Sequence, residues 1–448
     1  MNIQITRPKK IRQYETAKFC IDKLKIGDLS EYEVGKILYA DIWNMYDLSA
    51  VQKLSRIMAL MLCNPVHFFD YPDSREGKDI AIEIQYQNHI ERTDNATIYN
   101  NLYNYLKPTR HVLLKKIYRF QIQGCIRRFK CIFKYFTAIK NFGLLGRLYL
   151  AAQLVMVKGL IEYLERMEFF EGYRYLLIFQ EYDTISSTVI QNAHLHGVKV
   201  ISPQHGMPMN RHEDKDQLFF DGFQCDYKLV WNEFEKQQYI SAGVSADRIF
   251  IVGNTKTLCM EDYCSESHPD YITMEKTEDF GVLLNCPQND NAFEDNCRLL
   301  EAAQFLAVEK GLHFYIKLHP MDSISKYKEI LKCNCAYVLE PNITMKEYQK
   351  CVRFSIAHIT AAIFDLIYDG CFVFQYIMGE NYPVDISSIY KFTSPKELLV
   401  KYNKWTCDFL HYKEVYQETV NKYYVINAKE RHDAFFKYLL SEEGIERQ

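Results

Sequence analysis

The sequence predicts an α/β fold built from two domains with parallel sheets. Short apolar runs that read as buried strands alternate with helical segments from Tyr173 to Val252, and the same alternation restarts at Phe280. A polar stretch at 262–278, rich in Ser, Glu, Asp and Thr, separates the two series and marks a domain boundary. With 448 residues, the chain is too long for one ordinary core and long enough for two or three domains.

The elements of the first domain, which we place at residues 76–260, follow from hydrophobic periodicity and glycine stops. Residues 1–75 precede it as a helical extension. Uninterrupted apolar runs predict buried strands, and Gly197 and Gly243 end two of the helices between them. In chain order we predict strand 79–85, helix 97–106, a basic helical segment 107–161, strand 175–179, helix 184–195, strand 198–202, strand 227–231, helix 233–242 and strand 249–252.

The second domain, at residues 279–410, repeats the pattern. Its predicted strands are 280–284, 314–318, 337–339, 354–356 and 372–376, and its helices are 296–309, 323–331, 345–351 and 361–368. The segment 411–448 reads as helical between Lys413 and Leu440, and we predict that it packs back across both domains.

Composition restricts the possible classes of protein. A net charge of −3 argues against a dedicated nucleic-acid binder. The fourteen cysteines are scattered through a chain that opens on a polar, basic run, so we expect reduced thiols in a cytosolic protein. Cys333 and Cys335 lack a second pair at zinc spacing, and we expect no metal site. The longest apolar stretch, 148–157, is about half the length needed to cross a bilayer, which predicts a soluble or peripheral protein.

Residues 107–161 carry an uneven share of the charge, with twelve Lys or Arg and no Asp or Glu. Phe and Tyr interleave with these cations, a pattern typical of a helix on an anionic membrane surface, where each cation contributes about 1 kcal/mol. A groove for an anionic acceptor and a solvated helix face are the alternative interpretations. We expect peripheral contact with the cytoplasmic face of the inner membrane through this segment.

The signature Gln204-His205-Gly206 follows one predicted strand of the first domain. Gly206 permits a turn that leaves His205 uncovered, and neutral imidazole is a suitable base near pH 7. Asp183 ends the preceding strand at the same edge, where its carboxylate would orient the imidazole or act as the base. A structural turn histidine and a helix N-cap remain alternative roles for these two residues. Gln204, Gly206 and Asn254, which closes a later strand, are predicted acceptor or cleft contacts.

The run Lys317-Leu318-His319-Pro320 ends a strand of the second domain. Lys317 and His319 alternate along the strand and therefore project to one side, and Pro320 ends the ladder. Two such groups would hold a phosphate and stabilise charge on a departing nucleotide. A surface lysine and a core histidine are the alternative.

Two further groups of residues are predicted to bind the donor. Thr360 and Ala361 begin a helix with Asp365 one turn in, and small residues there let an anion approach exposed N–H groups, although Thr360 also fits a plain N-cap. Asn285 and Gln288 follow the first strand of the second domain and would reach a base or ribose, although their surroundings also fit an ordinary turn.

Taken in order, these motifs resemble those of GT-B glycosyltransferases of bacterial surface-polysaccharide synthesis. The resemblance covers roughly residues 170 to 390 and rests on Gln-His-Gly, on Asp226 through Trp231 with Gly253-Asn254, on Lys-Leu-His-Pro and on the Thr360–Gly370 segment. The pattern is most similar to CMP-sugar enzymes with a His-Pro motif (sialyl- and Kdo-transferases) and to CDP-glycerol glycerophosphotransferases. Many relatives have paired Ser residues where this chain has Thr360-Ala361-Ala362.

The resemblance implies a GT-B fold with two Rossmann-like domains facing a cleft, with the acceptor on the N-terminal domain and the nucleotide donor on the C-terminal one. It implies no cofactor and no essential metal. His205 would be the base or an acceptor contact, His319 and Pro320 would hold the nucleotide phosphate, and Thr360 would bind phosphate or a sugar carboxylate.

The expected activity is transfer of a sugar from a nucleotide donor to a capsule or lipopolysaccharide acceptor. A CMP-linked acidic sugar of the sialic acid or Kdo type is the preferred donor. Transfer of a polyol phosphate from a CDP donor, a sugar-nucleotide epimerase, and a non-catalytic GT-B-like scaffold are the alternatives.

Overall fold

The computed structural model forms two compact α/β units. It describes residues 7–70, 80–84, 93–106, 110–120, 124–179, 181–204, 220–255, 258, 279–285, 292–319, 322–340, 343–358, 360, 362–368, 371–377, 390–423, 425 and 427–445. The first unit takes in the described residues of Met1–His205, Asp214–Val230 and Glu235–Ile251, and the second those of Trp231–Phe234 and Val252–Gln448. The predicted boundary at 262–278 lies outside the described residues.

A seven-stranded sheet forms the centre of the first unit. Its strands are β1 (Cys63–Asp70), β2 (Ile80–Ile84), β3 (Arg110–Phe120), β4 (Tyr175–Leu177), β5 (Lys199–Pro203), β6 (Tyr227–Val230) and β7 (Ile249–Ile251), in the spatial order β1-β3-β2-β4-β5-β6-β7. All neighbours are parallel except β1 and β3, which pair antiparallel. The sheet is therefore parallel with one antiparallel edge strand.

Two of these strands lie where the sequence predicted helix. The strand β3 falls inside the basic segment 107–161, so the helical prediction is wrong for Arg110–Phe120. The strand β1 falls inside the predicted N-terminal helical extension and pairs with β3 along its full length. Both segments are strands because each pairs with another strand. Their local sequences do not reveal this partner, so local periodicity could not predict the conformation.

Helices cover the first unit and supply most of its core. They are α1 (Arg7–Ile21), α2 (Val34–Met45), α3 (Ala50–Leu62), α4 (Thr93–Leu106), α5 (Cys125–Ala138), α6 (Leu144–Arg166), α7 (Thr184–Leu195) and α8 (Glu233–Ser241). The helix α7 has the predicted bounds. The helix α6 is long and apolar enough to span a membrane by length and composition, with half of its most apolar window buried. Leu150, Leu154 and Leu160 on α6 are core residues of this unit, and that packing accounts for its apolar character.

The second unit contains a six-stranded, fully parallel sheet. Its strands are β8 (Phe280–Leu283), β9 (Phe314–Lys317), β10 (Ala336–Val338), β11 (Phe354–Ala357), β12 (Phe372–Tyr376) and β13 (Lys391–Phe392), in the order β10-β9-β8-β11-β12-β13. This is the 3-2-1-4-5-6 order of a Rossmann sheet, in which ligands bind where the order reverses. Here the reversal lies between β8 and β11.

The helices of the second unit follow the predicted alternation with three differences, of which the first is a helix at Pro395–Cys407 that the sequence did not predict. They are α9 (Ala292–Lys310), α10 (Met345–Cys351), α11 (Ala362–Tyr368), α12 (Pro395–Cys407), α13 (Phe409–Tyr423) and α14 (Ala428–Ile445). The helix predicted at 323–331 is only a short 3-10 turn, Ile324–Tyr327. The C-terminal segment forms two helices, separated near Asn427, whose φ is 69°.

Close packing below the sheet edge constrains one glycine. A Cβ on Gly281 would lie 1.7 Å from the hydroxyl oxygen of Tyr348, so β8 requires glycine there. That hydroxyl is 2.9 Å from Ser355 Oγ on the neighbouring strand β11. Packing between α10 and the sheet thus fixes β8 and β11 beside the point where the strand order reverses.

One expectation about the cysteines is wrong. Cys333 and Cys335 form a disulfide in the turn before β10, where their Cα atoms are 5.3 Å apart. Eight other cysteines are free thiols: Cys20, Cys125, Cys131, Cys225, Cys297, Cys351, Cys371 and Cys407.

Candidate functional site

The carboxyl edge of the second sheet gathers polar residues from three neighbouring strands. Leu283 on β8 pairs in register with Lys317 on β9 and with Ala357 on β11. Asn285, His319 and His358 follow these three strand ends within two residues, so they lie at the same edge. This edge contains the reversal of strand order, the usual position of a nucleotide in a Rossmann sheet.

A chain of hydrogen bonds joins the loops after β8 and β9. Asn296 in the first turns of α9 accepts from the Asn285 backbone N–H at 2.9 Å and donates to the Asn285 carbonyl at 3.0 Å. Its amide also donates to Tyr327 Oη at 2.9 Å, and Tyr327 donates to Asp322 Oδ2 at 2.5 Å. The Asp322 backbone N–H donates to the His319 carbonyl at 2.8 Å. The backbones that carry Asn285 and His319 are therefore held by one network.

Sequence reasoning missed Asn296, Tyr327 and Asp322, whose side chains join the two loops of this network. Asn296 is fully buried, and its side-chain amide has both the acceptor and the donor that the N–H and the carbonyl of Asn285 require. The available signal was a polar residue on the inward-facing, largely apolar side of an amphipathic helix.

A second missed feature is the buried pair His358 and Asp295. His358 follows β11, Asp295 lies in the first turn of α9, and His358 Nδ1 is 3.8 Å from Asp295 Oδ2. Both side chains are buried, and the His358 ring lies 5.8 Å from that of Tyr376. An imidazole and a carboxylate therefore stand beside Asn285 at the reversal point.

The remaining predicted donor residues have structural contacts of their own. Lys317 Nζ donates to the carbonyl of Ile343 at 2.9 Å. Thr360 Oγ1 accepts from the Ala362 N–H at 3.3 Å, which is a capping contact for the seven-residue helix α11. Asp365 is partly buried, and its carbonyl accepts from Gln349 at 3.3 Å. Binding roles for these residues stay predictions.

In the first unit, Asp183 caps α7. The N–H groups of Ile185 and Ser186 donate to Asp183 Oδ1 at 3.0 and 3.1 Å, and the Ser186 hydroxyl donates to its other oxygen. Burial raises the pKa of Asp183 above its usual value, and the neighbouring carboxylate of Asp41 adds to this effect. The capping role is therefore present, and the raised pKa moves the carboxylate toward the range of a general base.

A buried ion pair lies below the same edge of the first sheet. Lys228 Nζ on β6 is 2.6 Å from Glu181 Oε1 and donates to Ser202 Oγ at 2.9 Å. Burial acts to raise the pKa of Glu181, but the charge of Lys228 and hydrogen bonds from Lys228, Ser202 and Cys225 together outweigh burial, and the pKa is lowered. Gln204, fully buried beyond β5, accepts from the hydroxyl of Tyr239 at 3.2 Å. The strand ends beside Asp183 are thus fixed by charge as well as by backbone pairing.

The other predicted site residues divide into described and undescribed positions. Asn254 is buried in the loop after β7. Five positions lie outside the described residues: His205, Gly206, Gln288, Pro320 and Ala361. Within the part of the chain that the structure describes, no three His, Cys, Asp or Glu side chains gather as metal ligands.

Comparison with known structures identifies the fold. The Staphylococcus aureus MnaA–UDP co-structure matches with a TM-score of 0.51 at 12% identity, covering 82% of this chain and 97% of that one. A Listeria monocytogenes protein assigned as a UDP-N-acetylglucosamine 2-epimerase matches with a TM-score of 0.51 at 13% identity, covering 81% and 97%. The apo galactosyltransferase WaaB of the lipopolysaccharide outer core gives 0.43 at 12% identity, covering 81% and 100%.

These similarities show a GT-B-like α/β fold and confirm the predicted fold class. They give no support to the CMP-sugar transferase subfamily. Neither protein-family profiles nor curated protein sequences give a match to this chain.

The buried ion pair gives a stability prediction. Lys228→Met should lower the free energy of unfolding by about 3–5 kcal/mol, because it leaves the Glu181 carboxylate buried without its cation. Adding Glu181→Leu should recover much of that loss, since the pair is then replaced by apolar packing. Urea denaturation of the single and double variants measures both values.

The exposed pair of Arg127 with Glu162, 3.0 Å apart in the same unit, provides the control. Arg127→Met should cost about 0–1 kcal/mol. A Lys228→Met variant as stable as this control would show that the buried pair does not hold the strand ends.

Proposed function

We propose that this protein is a metal-independent glycosyltransferase that moves a sugar from a nucleotide donor onto a glycan acceptor. The observation that carries the proposal is the polar edge of the second sheet, where Asn285, His319 and His358 surround the reversal of strand order. Amide and imidazole groups there suit the base, ribose and phosphate of a nucleotide. Similarity in fold to a protein solved with UDP supports a nucleotide ligand.

The preferred donor is a CMP-linked acidic sugar, on the resemblance of Lys317 to Pro320 to the His-Pro motif. Lys317 and His319 lie at the end of β9, where positive or donor groups would stabilise the phosphate as its bond to the sugar breaks. Because the MnaA structure contains UDP, a UDP-sugar is the alternative donor.

In the proposed transfer, an acceptor hydroxyl oxygen attacks the anomeric carbon of the sugar. The bond from that carbon to the phosphate oxygen breaks, the nucleotide leaves with the bonding electrons, and the hydroxyl proton passes to a base. Asp183 is a candidate for this base because its pKa is raised, and His205 is the other candidate.

The main alternative is a sugar-nucleotide epimerase, favoured by the fold similarity to a protein assigned that activity. An epimerase would convert its donor without any acceptor, whereas a transferase needs one. Transfer of a polyol phosphate would release CMP from a CDP donor only. A non-catalytic scaffold would bind nucleotide without turnover.

We place the transferase at the cytoplasmic face of the membrane, because α5 carries an exposed apolar stripe beside cations. Ile126, Phe129 and Phe133 are 76%, 57% and 62% exposed, and their spacing puts them on one face. At about 100° per residue, the exposed cations Arg127, Lys130 and Lys134 lie along one flank of that stripe.

A second exposed stripe lies on the neighbouring helix α3. Val51, Leu54, Met58 and Leu62 recur at helical spacing and are all exposed. Arg128 on α5 donates to the Met61 carbonyl on α3 at 2.9 Å, so the two helices are joined. An anionic bilayer matches both the apolar stripes and the cations. A membrane location favours transfer to a lipid-linked acceptor over epimerisation of a soluble nucleotide sugar.

His319→Ala should lower donor turnover about a hundredfold, because one group that stabilises the leaving phosphate is lost. Nucleotide release with acceptor present, measured over a panel of CMP- and UDP-sugars, gives the rate. His411→Ala removes an exposed histidine of α13 in the same unit and serves as the control. A folded His319→Ala protein with unchanged kinetics would remove His319 from the mechanism.

Replacing the stripe of α5 by Ile126→Ser, Phe129→Ser and Phe133→Ser should reduce binding to phosphatidylglycerol vesicles by at least about tenfold, because less apolar area enters the interface. Vesicle sedimentation measures the effect, and phosphatidylcholine vesicles should bind the wild type poorly. The matched control changes three exposed apolar residues of the second unit, Phe293, Val308 and Leu410, to Ser. Equal loss in both triple variants would contradict a membrane role for α5.

A further inference from the structure

The disulfide between Cys333 and Cys335 closes a very small ring, with Asn334 as the one residue between them. A disulfide stabilises a protein mainly by restricting the unfolded chain, and this effect grows with the number of residues that the bridge encloses. A bridge across one intervening residue is therefore near the lower limit of what a disulfide contributes to stability. It also joins no distant segments of the chain.

The backbone on the N-terminal side of the bridge is held by a side chain of α9. Gln304 on this helix donates from Nε2 to the Ile330 carbonyl at 2.9 Å. Its Oε1 accepts from the N–H groups of Lys332 and Cys333 at 2.8 and 3.3 Å. One amide therefore fixes the turn up to the first cysteine through contacts that do not involve the sulfur atoms.

The backbone on the C-terminal side of the bridge is held by the second sheet. The Cys335 carbonyl accepts from the Phe314 N–H at 2.9 Å, where the pairing of β10 with β9 begins. At the other end of β10, the Leu339 N–H donates to the Ile316 carbonyl at 3.0 Å. Breaking the bond between the sulfur atoms thus leaves the backbones of both cysteines in place, and the two thiols stay close enough to form it again.

The bridge is also accessible to small reagents. Cys333 and Cys335 are only partly buried, and Lys332 and Asn334 beside them are exposed, whereas the thiol of Cys225 is buried. The ammonium of Lys332, next to Cys333 in the chain, favours a thiolate over a neutral thiol at that cysteine. A stabilised thiolate is the better leaving group when another thiol attacks a disulfide.

We propose that Cys333 and Cys335 form a thiol–disulfide exchange site for low-molecular-weight thiols. A reductant thiolate attacks one of the two sulfur atoms, the bond between them breaks, and the other cysteine leaves as a thiolate that takes up a proton. A second reductant thiolate attacks the reductant sulfur of this mixed disulfide, and the remaining cysteine leaves in the same way. The pair gains two electrons and two protons, and two reductant thiols become one disulfide. This chemistry is independent of the proposed sugar transfer.

The test exposes the folded, full-length protein to reduced and then oxidised glutathione, traps thiols by alkylation, and identifies the state of both cysteines by peptide mass spectrometry. Reduced glutathione should open the pair, and oxidised glutathione should close it again. With oxidised glutathione, Cys333→Ser should accumulate the mixed disulfide of Cys335, since no second cysteine is present to displace the glutathione. Cys407→Ser, which removes an exposed free thiol, is the matched control and should leave the exchange unchanged.

Amide hydrogen exchange distinguishes an exchange site from a structural cross-link. Opening the pair in the wild type should lower the protection of the Leu339 amide by no more than about tenfold, because Gln304 and the sheet still hold the turn. In Gln304→Leu, opening the pair should lower this protection at least about a hundredfold, because the hydrogen bonds of the glutamine amide are missing as well.

Two results would overturn the proposal. One is a pair that stays oxidised in reduced glutathione until the protein unfolds. The other is complete loss of Leu339 protection when the pair opens in the wild type, since the disulfide would then be a structural cross-link. Neither result bears on sugar transfer, which nucleotide release measures separately.

Discussion

Parallel pairing in register is the constraint on which both units depend. Each pair of adjacent parallel strands brings two strand ends to the same edge of the sheet. Residues that are far apart in the chain therefore become neighbours in space through backbone pairing alone. The pairing of Leu283 with Lys317 and with Ala357 is the clearest case. It brings Asn285, His319 and His358 to one edge, and the network through Asn296 and Tyr327 then fixes the loops that carry the first two.

The two units offer different chemistry at these edges. The first contains buried carboxylates, of which Glu181 is neutralised by Lys228 and Asp183 is held by N–H groups of α7. The second contains amides and imidazoles, together with the buried Asp295 carboxylate 3.8 Å from His358. Carboxylates accept hydrogen bonds and protons from hydroxyl groups, whereas imidazole and amide donors favour phosphate oxygens. In the proposed function, the carboxylates of the first unit would serve the acceptor hydroxyl, and the donor groups of the second would serve the nucleotide.

Hydrophobic periodicity was sufficient to predict those helices and strands whose bounds depend only on nearby residues. The helices Thr184–Leu195 and Met345–Cys351 and the strand Phe372–Tyr376 have the predicted bounds, because apolar runs, caps and glycines mark them. The strand Arg110–Phe120 was missed because its conformation depends on partners on both sides. For the candidate functional site, periodicity predicted the strand ends that are followed by Asp183 and His319. It did not give Asn296 or the pair of His358 with Asp295, whose roles depend on which helix faces which strand.

The most direct test of the account is thermal stabilisation of the purified protein by a panel of nucleotides, CMP, CDP, UDP and GDP. A ligand at roughly 100 times its dissociation constant adds about 2.7 kcal/mol to the free energy of unfolding. We expect stabilisation by CMP and CDP. Stabilisation by UDP or GDP alone would still support a nucleotide-sugar enzyme but with a different donor. Absence of stabilisation by all four would contradict the nucleotide site at the edge of the second sheet.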